Sequence, residues 1–372
     1  MTRTAPTRSD FIDRIRVMLT MLVILHHTSI MYGGDGGWYL RFPHDDKLSK
    51  VLLTMMCAVD QSFFMGMFFL LAGYFTPASL LRKGMGGFVR DRLIRLGIPL
   101  LFFSFILGPF TIALADTRGS SEIWQRWAQL IQDGVINPGP LWFAYALLIF
   151  SGVYLLIHPL ITGIGKAWSE RSLSHRNLLT LIAVWGCGAF LLRLWVPTGQ
   201  EIGYLQIGFF SSYILLFFGG AAAAEQRLLE KITRALAKPW LVVSILTIPT
   251  LMVYAILSGA LRGVKFDVHG GWTLPALFYA YWEAFVGTGI MLMLLWRTRI
   301  ATAPSALWQV MAPKCFGAFI VHPPVVVAVG LCVQPLQLHP LAMFALAGSA
   351  SVVISFSIAA GLRRLPLLRH IL

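Results

Sequence analysis

The stretch Arg14-Ile-Arg-Val-Met-Leu-Thr-Met-Leu-Val-Ile-Leu-His26-His27-Thr-Ser-Ile-Met-Tyr32 decides how this chain is read. It is apolar enough to enter a bilayer, yet it carries two imidazoles beyond its midpoint. Ionisable groups are costly in lipid, so two of them inside a span mark a candidate functional site. From Arg16 to His27 the helix turns through ~1100°, about 20° from three whole turns, and rises roughly 16 Å. Arg16 and His27 therefore share one face. His26 lies ~100° around the helix and is expected to pack against, or hydrogen-bond to, another span.

The rest of the chain has the same character. A hydrophobic fraction of 57%, only 12% charged residues and a mean hydropathy of +0.72 do not suit a soluble domain of 372 residues. Apolar runs predict spans at approximately 15–32, 51–74, 93–115, 140–160, 178–196, 205–223, 240–258, 274–295, 316–334 and 340–362. Each suffices for a hydrocarbon core of ~30 Å, which takes ~20 helical residues. The expected fold is an all-α integral membrane protein, a bundle of about ten transmembrane helices forming a single domain over residues 1–372. An even number of spans puts both termini on one side.

Lys and Arg decide which side. One set of loops carries Arg3, Arg8, Arg14 and Arg16, then Arg82, Lys83, Arg90, Arg92 and Arg95, then Lys166, Arg171 and Arg176. Arg227, Lys231, Arg234 and Lys238 follow, then Arg297 and Arg299, and finally Arg363, Arg364 and Arg369. The opposite loops offer Arg41, Lys47, Lys50, Arg118, Arg126, Arg262 and Lys265, so the bias is 21 against 7. By the positive-inside rule both termini are expected in the cytoplasm. The same bias accounts for the net charge of +14 without nucleic acid, since the charges are dispersed over loops and not gathered in one domain.

Other signals narrow the reading. No small-residue cleavage site follows the first span, which is expected to stay as an anchor. Cys57, Cys187, Cys315 and Cys332 have no paired spacing, so neither a disulfide framework nor a metal site is expected. Gly33-Gly-Asp-Gly-Gly-Trp38 lacks phosphate-loop spacing and reads as a turn leaving the first span. The longest loops are expected near 33–50, 75–92 and 116–139, and no internal repeat is visible. Asp60, Arg193 and Glu283 fall within apolar spans and are expected to face the bundle, as substrate groups or as structural partners of one another.

Five segments in order carry a resemblance. They are Arg16-x10-His27, then Phe63-Phe-Met-Gly-Met-Phe-Phe-Leu-Leu-Ala-Gly-Tyr-Phe75, then Arg90-Asp-Arg-Leu-Ile-Arg-Leu-Gly-Ile-Pro99, then Leu141-Trp-Phe143, then Phe319-Ile-Val-His-Pro-Pro324. With the ten-span layout they resemble the acyltransferase 3 family of integral membrane acyltransferases, and within it the glucan biosynthesis branch, which attaches succinyl groups to periplasmic glucans. Two departures are plain. The family's usual Ser-Gly-aromatic is Ala72-Gly73-Tyr74 here, and Ala144-Tyr145-Ala146 stands where many members carry a Glu.

The resemblance implies transfer of an acetyl or succinyl group from cytoplasmic acyl-coenzyme A, the donor substrate, to a hydroxyl of an envelope glycan, lipid-linked saccharide or exported metabolite. It implies a multi-pass protein of a bacterial inner membrane, with no metal and no nucleic-acid partner. The chemistry suits the residues. A hydroxyl attacking a thioester needs a base of near-neutral pKa, which suits His27, and the resemblance assigns His27 and Arg16, aligned on one face, as the catalytic residues. Arg92 and Arg95, one helical turn apart, have the forks that match the phosphates of coenzyme A. His322, followed by two prolines, either lines the acceptor path or caps a broken helix, and Asp13 is a candidate orienter of His27. Two alternatives use the same buried groups: a small-molecule exporter with a proton relay, and a non-catalytic membrane partner of an envelope assembly.

Overall fold

The computed structural model describes residues 10–168, 173–264, 266–301, 306–369 and 371. Arg3, Arg8, Arg171 and Lys265 of the charge pattern lie outside the described residues, as do both ends of the expected 1–372 domain. In chain order the helices are α1 (Asp10–Met31), α2 (Lys47–Arg92), α3 (Ile98–Phe102), α4 (Gly108–Asp116), α5 (Ile123–Gln132), α6 (Trp142–Ala167) and α7 (His175–Trp195). They continue with α8 (Phe210–Glu225), α9 (Arg234–Leu257), α10 (Leu274–Ile300), α11 (Ala306–Met311), α12 (Cys315–Val333), α13 (Pro340–Leu362) and α14 (Pro366–Arg369). Among the described residues there is no β-strand beyond an isolated bridge between Ile202 and Leu205.

Among the described residues, eight helical stretches are long and apolar enough to cross a membrane, and the first is a single run of 70 residues, Lys47–Asp116. Even α2 alone, with 46 residues, would be ~69 Å long if straight, over twice the ~30 Å of a hydrocarbon core. It is not straight. Gly84, at φ 67 and ψ 172, interrupts it, a conformation that glycine adopts without a Cβ penalty. The segment near 75–92, expected as a loop, is thus helical on both sides of that break. The physical reason is its supply of helix formers, Ala78, Leu80, Leu81, Arg82, Lys83 and Met85. The loop expected near 116–139 likewise contains α5. Beyond α2 the helix widens to π-turns at Leu93–Gly97 and Phe103–Leu107. Each precedes a proline, Pro99 or Pro109, that has no N–H for the regular ladder.

The chain forms two compact units. The first comprises Met1–Ile15, Gln61–Gly84 and Phe150–Ala303. Its helices approach closely through small residues, as membrane helices do where lipid leaves little hydrophobic drive between them. A Cβ on Gly73 would lie 1.9 Å from the Phe217 carbonyl oxygen of α8, and one on Gly289 would lie 2.1 Å from the Trp240 carbonyl oxygen of α9.

The second unit comprises Arg16–Asp60, Met85–Ile149 and Pro304–Leu372. Val17, Ile24 and Met31, seven residues apart on α1, join a core with Ala318, Val325 and Val326 of α12 and Met343, Ala347 and Val352 of α13. The end of α1 is set by Gly33, whose φ of 116 lets the Gly34 N–H close on the Ser29 carbonyl at 2.8 Å. The chain then folds back over this helix end. Phe42 N–H donates to the Met31 carbonyl and His44 Nε2 to the Tyr32 carbonyl, each at 2.8 Å. Asp46 caps α2 by accepting from the Ser49 N–H at 2.9 Å, and the Ser49 hydroxyl and N–H hold its carboxyl below the usual range.

Candidate active site around His27

His27 sits on the last two turns of α1, half-buried, and the returning loop lays Trp38 flat against it. The two rings are 4.1 Å apart at 14°. At the edge of His27 is His322 of α12, wholly buried at 0% exposure, with Trp38 also lying over it at 6.0 Å and 13°. The His322 ring lies 5.0 Å from that of His27 at 11°, and its Nε2 is 2.9 Å from His27 Nδ1. Three aromatic planes are therefore near parallel, with a hydrogen bond between the two imidazoles.

Proline chemistry orders that hydrogen bond. Pro323 has no N–H, so the Phe319 carbonyl, four residues earlier, loses its usual helical donor. His322 Nδ1 takes the vacancy at 2.7 Å. A carbonyl oxygen only accepts, so His322 Nδ1 carries a proton, and in a neutral ring Nε2 must then accept. The proton between the imidazoles accordingly belongs to His27 Nδ1. That leaves His27 Nε2 as a lone pair, and no protein group among the described residues engages it.

The surroundings tie several of the sequence motifs together. The Phe319 ring packs at 6.2 Å on Phe143 of α6, so the Trp-Phe and His-Pro-Pro segments meet. Trp38 stands edge-on to Tyr39 at 5.1 Å, and the Tyr39 hydroxyl donates to Asn137 Oδ1 at 2.7 Å. Burial pushes the Tyr39 phenol above its ordinary range, which keeps it a donor. Asn137 is held in turn by its N–H on the Ser104 carbonyl at 3.0 Å. Gly139, at φ 44, is needed here, because a Cβ would fall 2.3 Å from the Tyr39 hydroxyl.

The other candidates distribute as follows. His26 pairs with Asp60 of α2 at 3.4 Å, both buried, and its ring stands edge-on to that of His27 at 5.6 Å. Arg193 and Glu283 find each other in the first unit at 2.5 Å, with Arg193 Nε on the Gly208 carbonyl and its guanidinium over the Phe209 and Tyr279 rings. Arg16 is exposed, about 16 Å along α1 from His27 by helical rise. Arg92 is half-buried with its guanidinium 5.0 Å over Phe88, whereas Arg95 is exposed. A π-turn begins at Leu93, between the two, so α-helical spacing does not set their relative direction. Among the described residues no three His, Cys, Asp or Glu side chains gather in an arrangement that could hold a metal ion.

Sequence reasoning passed over Trp38 and Asn137. The first lay at the end of a Gly-rich turn and the second just ahead of Pro138-Gly139-Pro140. An aromatic side chain beside such a turn was the available signal.

The acyltransferase domain of the acyltransferase 3 family matches residues 9–360. Among curated proteins, glucans biosynthesis protein C of Escherichia coli strain K12 is 32% identical over 118 residues, 32% of this chain and 29% of the relative. The protein of the same name from Escherichia coli O6:K15:H31 strain 536 is 32% identical over 148 residues, 39% of this chain and 37% of the relative. This chain thus matches well under half the length of these relatives. No solved structure matches.

Proposed function

The chain belongs to the acyltransferase 3 family of membrane acyltransferases, and from that premise we propose that it is an O-acyltransferase whose general base is His27 Nε2. The observation that carries this reading is the chain of hydrogen bonds from the Phe319 carbonyl through His322 to His27, which leaves a basic nitrogen aimed away from both its partners. In that role His322 is a positioning residue: it is fully buried, and its hydrogen bond sets the tautomer and tilt of His27.

The donor is cytoplasmic acyl-coenzyme A, carrying acetyl or succinyl. Arg92 and Arg95 meet its phosphates, and Arg16 lies along α1 between the charged mouth and the base. The acceptor is a hydroxyl of an envelope glycan, lipid-linked saccharide or exported metabolite. The two curated relatives are named for glucans, which favours the glycan.

This two-sided scheme needs ten spans, both termini in the cytoplasm, and an inner-membrane location. The 70-residue run counts twice because it breaks at Gly84, and α1 adds a span that its Asp and Arg residues keep out of the purely apolar set. The Lys and Arg bias supplies the orientation. The test is thiol release by the purified protein in nanodiscs, from acetyl- or succinyl-coenzyme A with a glucan acceptor. Release that depends on both donor and acceptor, and that His27→Ala abolishes, is expected. Absence of donor consumption with either thioester would overturn the reading.

A further inference from the structure

Two polar atoms remain uncommitted in the stack of rings around His27. One is His27 Nε2, an acceptor. The other is the indole nitrogen of Trp38, which is closed off from solvent and has no hydrogen-bond partner among the described residues. Three other indoles are engaged: Trp127 on the Ile106 carbonyl at 3.1 Å, Trp240 on His175 at 3.1 Å, and Trp282 on the Thr247 carbonyl at 2.9 Å. A buried N–H without an acceptor is costly, and such groups in native structures call for an explanation. Three acceptors of this ring cluster are already engaged. His322 Nε2 takes the His27 proton, the Phe319 carbonyl takes the His322 proton, and Asn137 Oδ1 takes the Tyr39 hydroxyl.

A lone pair and a buried donor on two rings stacked 4.1 Å apart are the pair of groups that acyl transfer requires. We infer that Trp38 is a further catalytic residue, its indole N–H donating to the acyl carbonyl oxygen as that oxygen becomes negative. This rests on the acyl-transfer reading at His27. The acceptor hydroxyl oxygen forms a bond to the thioester carbon while His27 Nε2 takes its proton, and the carbonyl electron pair moves onto oxygen, where the Trp38 N–H holds it. The pair then returns, the carbon–sulfur bond breaks, and His27 gives its proton to the departing thiolate. Ester and free thiol are the products. A donor in place before the reaction, in a site closed to water, stabilises the oxyanion more than water would.

The experiment uses the full chain in nanodiscs and two replacements that keep a ring over His27 but remove the N–H. One is Trp38→Phe. The other is β-(3-benzothienyl)alanine at position 38, which preserves the bicyclic shape and so guards against a packing defect. Both are expected to lower kcat by ~10²- to 10³-fold, with the donor KM within about twofold and the pH midpoint of kcat/KM unchanged, because the stack on the base persists. Wild-type kcat in the benzothienyl protein overturns the inference. A loss seen only in KM overturns it as well. His27→Ala separates the two levels: if that variant stays active, the reading at His27 falls, whereas an inactive His27→Ala beside fully active Trp38 replacements removes only the role of Trp38.

Discussion

His322 donates through Nδ1 to the carbonyl oxygen of Phe319 at 2.7 Å, in a place where a regular helix would have used the amide of residue 323. Proline at that position turns a backbone acceptor over to a side chain. Pro323 thereby fixes the tautomer of a buried histidine, and through it that of His27.

Pro323→Ala restores a backbone N–H that competes for the Phe319 carbonyl. His322 then loses its anchor, and the expected result is a fall in kcat of roughly 10-fold with an unchanged donor KM. His322→Ala should cost ~10²-fold, the scale of a misplaced catalytic group. His322→Gln, which can both donate and accept, should recover part of it. Steady-state kinetics of the three variants check this, and equal kcat in all of them and the wild type would remove the positioning role.

Loss of the base is more severe. His27→Ala should lower turnover by ~10²- to 10⁴-fold while expression and insertion stay intact. His26→Ala should do less, because His26 is paired with Asp60. Its effect is expected in the thermal midpoint, since an unpaired carboxylate is left buried. Thiol-release assays alongside melting curves in detergent separate the two histidines, and a dead His26→Ala with an active His27→Ala would reverse the assignment.

Arg92→Ala and Arg95→Ala should each weaken donor binding by about one to two decades, the equivalent of a charge-assisted contact of ~1.5 to 3 kcal/mol. Lys at either position should recover only part, because an ammonium lacks the planar fork. Arg92 carries an additional packing contact with Phe88, so Arg92→Ala is expected to lose some thermal stability that Arg95→Ala retains. Calorimetric donor titration at fixed salt is the measurement, and unchanged affinity in both variants returns these residues to topology signals.

Gly73→Ala should be among the most destabilising single-methyl changes in the chain. The added Cβ meets the Phe217 carbonyl oxygen at 1.9 Å, so α2 and α8 must separate, at a cost of at least ~1 to 3 kcal/mol. Gly86→Ala is the control: nothing lies within 4 Å of its Cβ, and it should be neutral or gain about 0.5 kcal/mol from the helix. Thermal unfolding in detergent compares the pair, and equal midpoints would contradict the close crossing.

Topology can be checked by cysteine labelling on a background lacking Cys57, Cys187, Cys315 and Cys332. An impermeant reagent outside intact cells should label a cysteine at Asp45 and spare one at Arg90. The opposite pattern inverts the orientation and removes a cytoplasmic donor site at Arg92 and Arg95.

The sequence by itself determined the all-helical, membrane-bundle character of the fold, because ~20 apolar residues in a row have one stable arrangement in lipid. The expected 178–196 and 340–362 became His175–Trp195 and Pro340–Leu362. It also exposed His27, since an imidazole in such a run has an energetic cost that composition reveals without coordinates. The basic segment near 75–92 was misread as a loop for the same reason: charge says where water is, and a helix can continue through water when only Gly84 interrupts it. Tertiary structure alone decided the pairings. His27 meets His322 across 295 residues, Arg193 meets Glu283 across 90, and Tyr39 meets Asn137 across 98. Helical period fixes which face a residue occupies on its own helix. It carries no information about which distant face will lie opposite, and so neither the tautomer of His27 nor the ring of Trp38 above it could be read before the helices were packed.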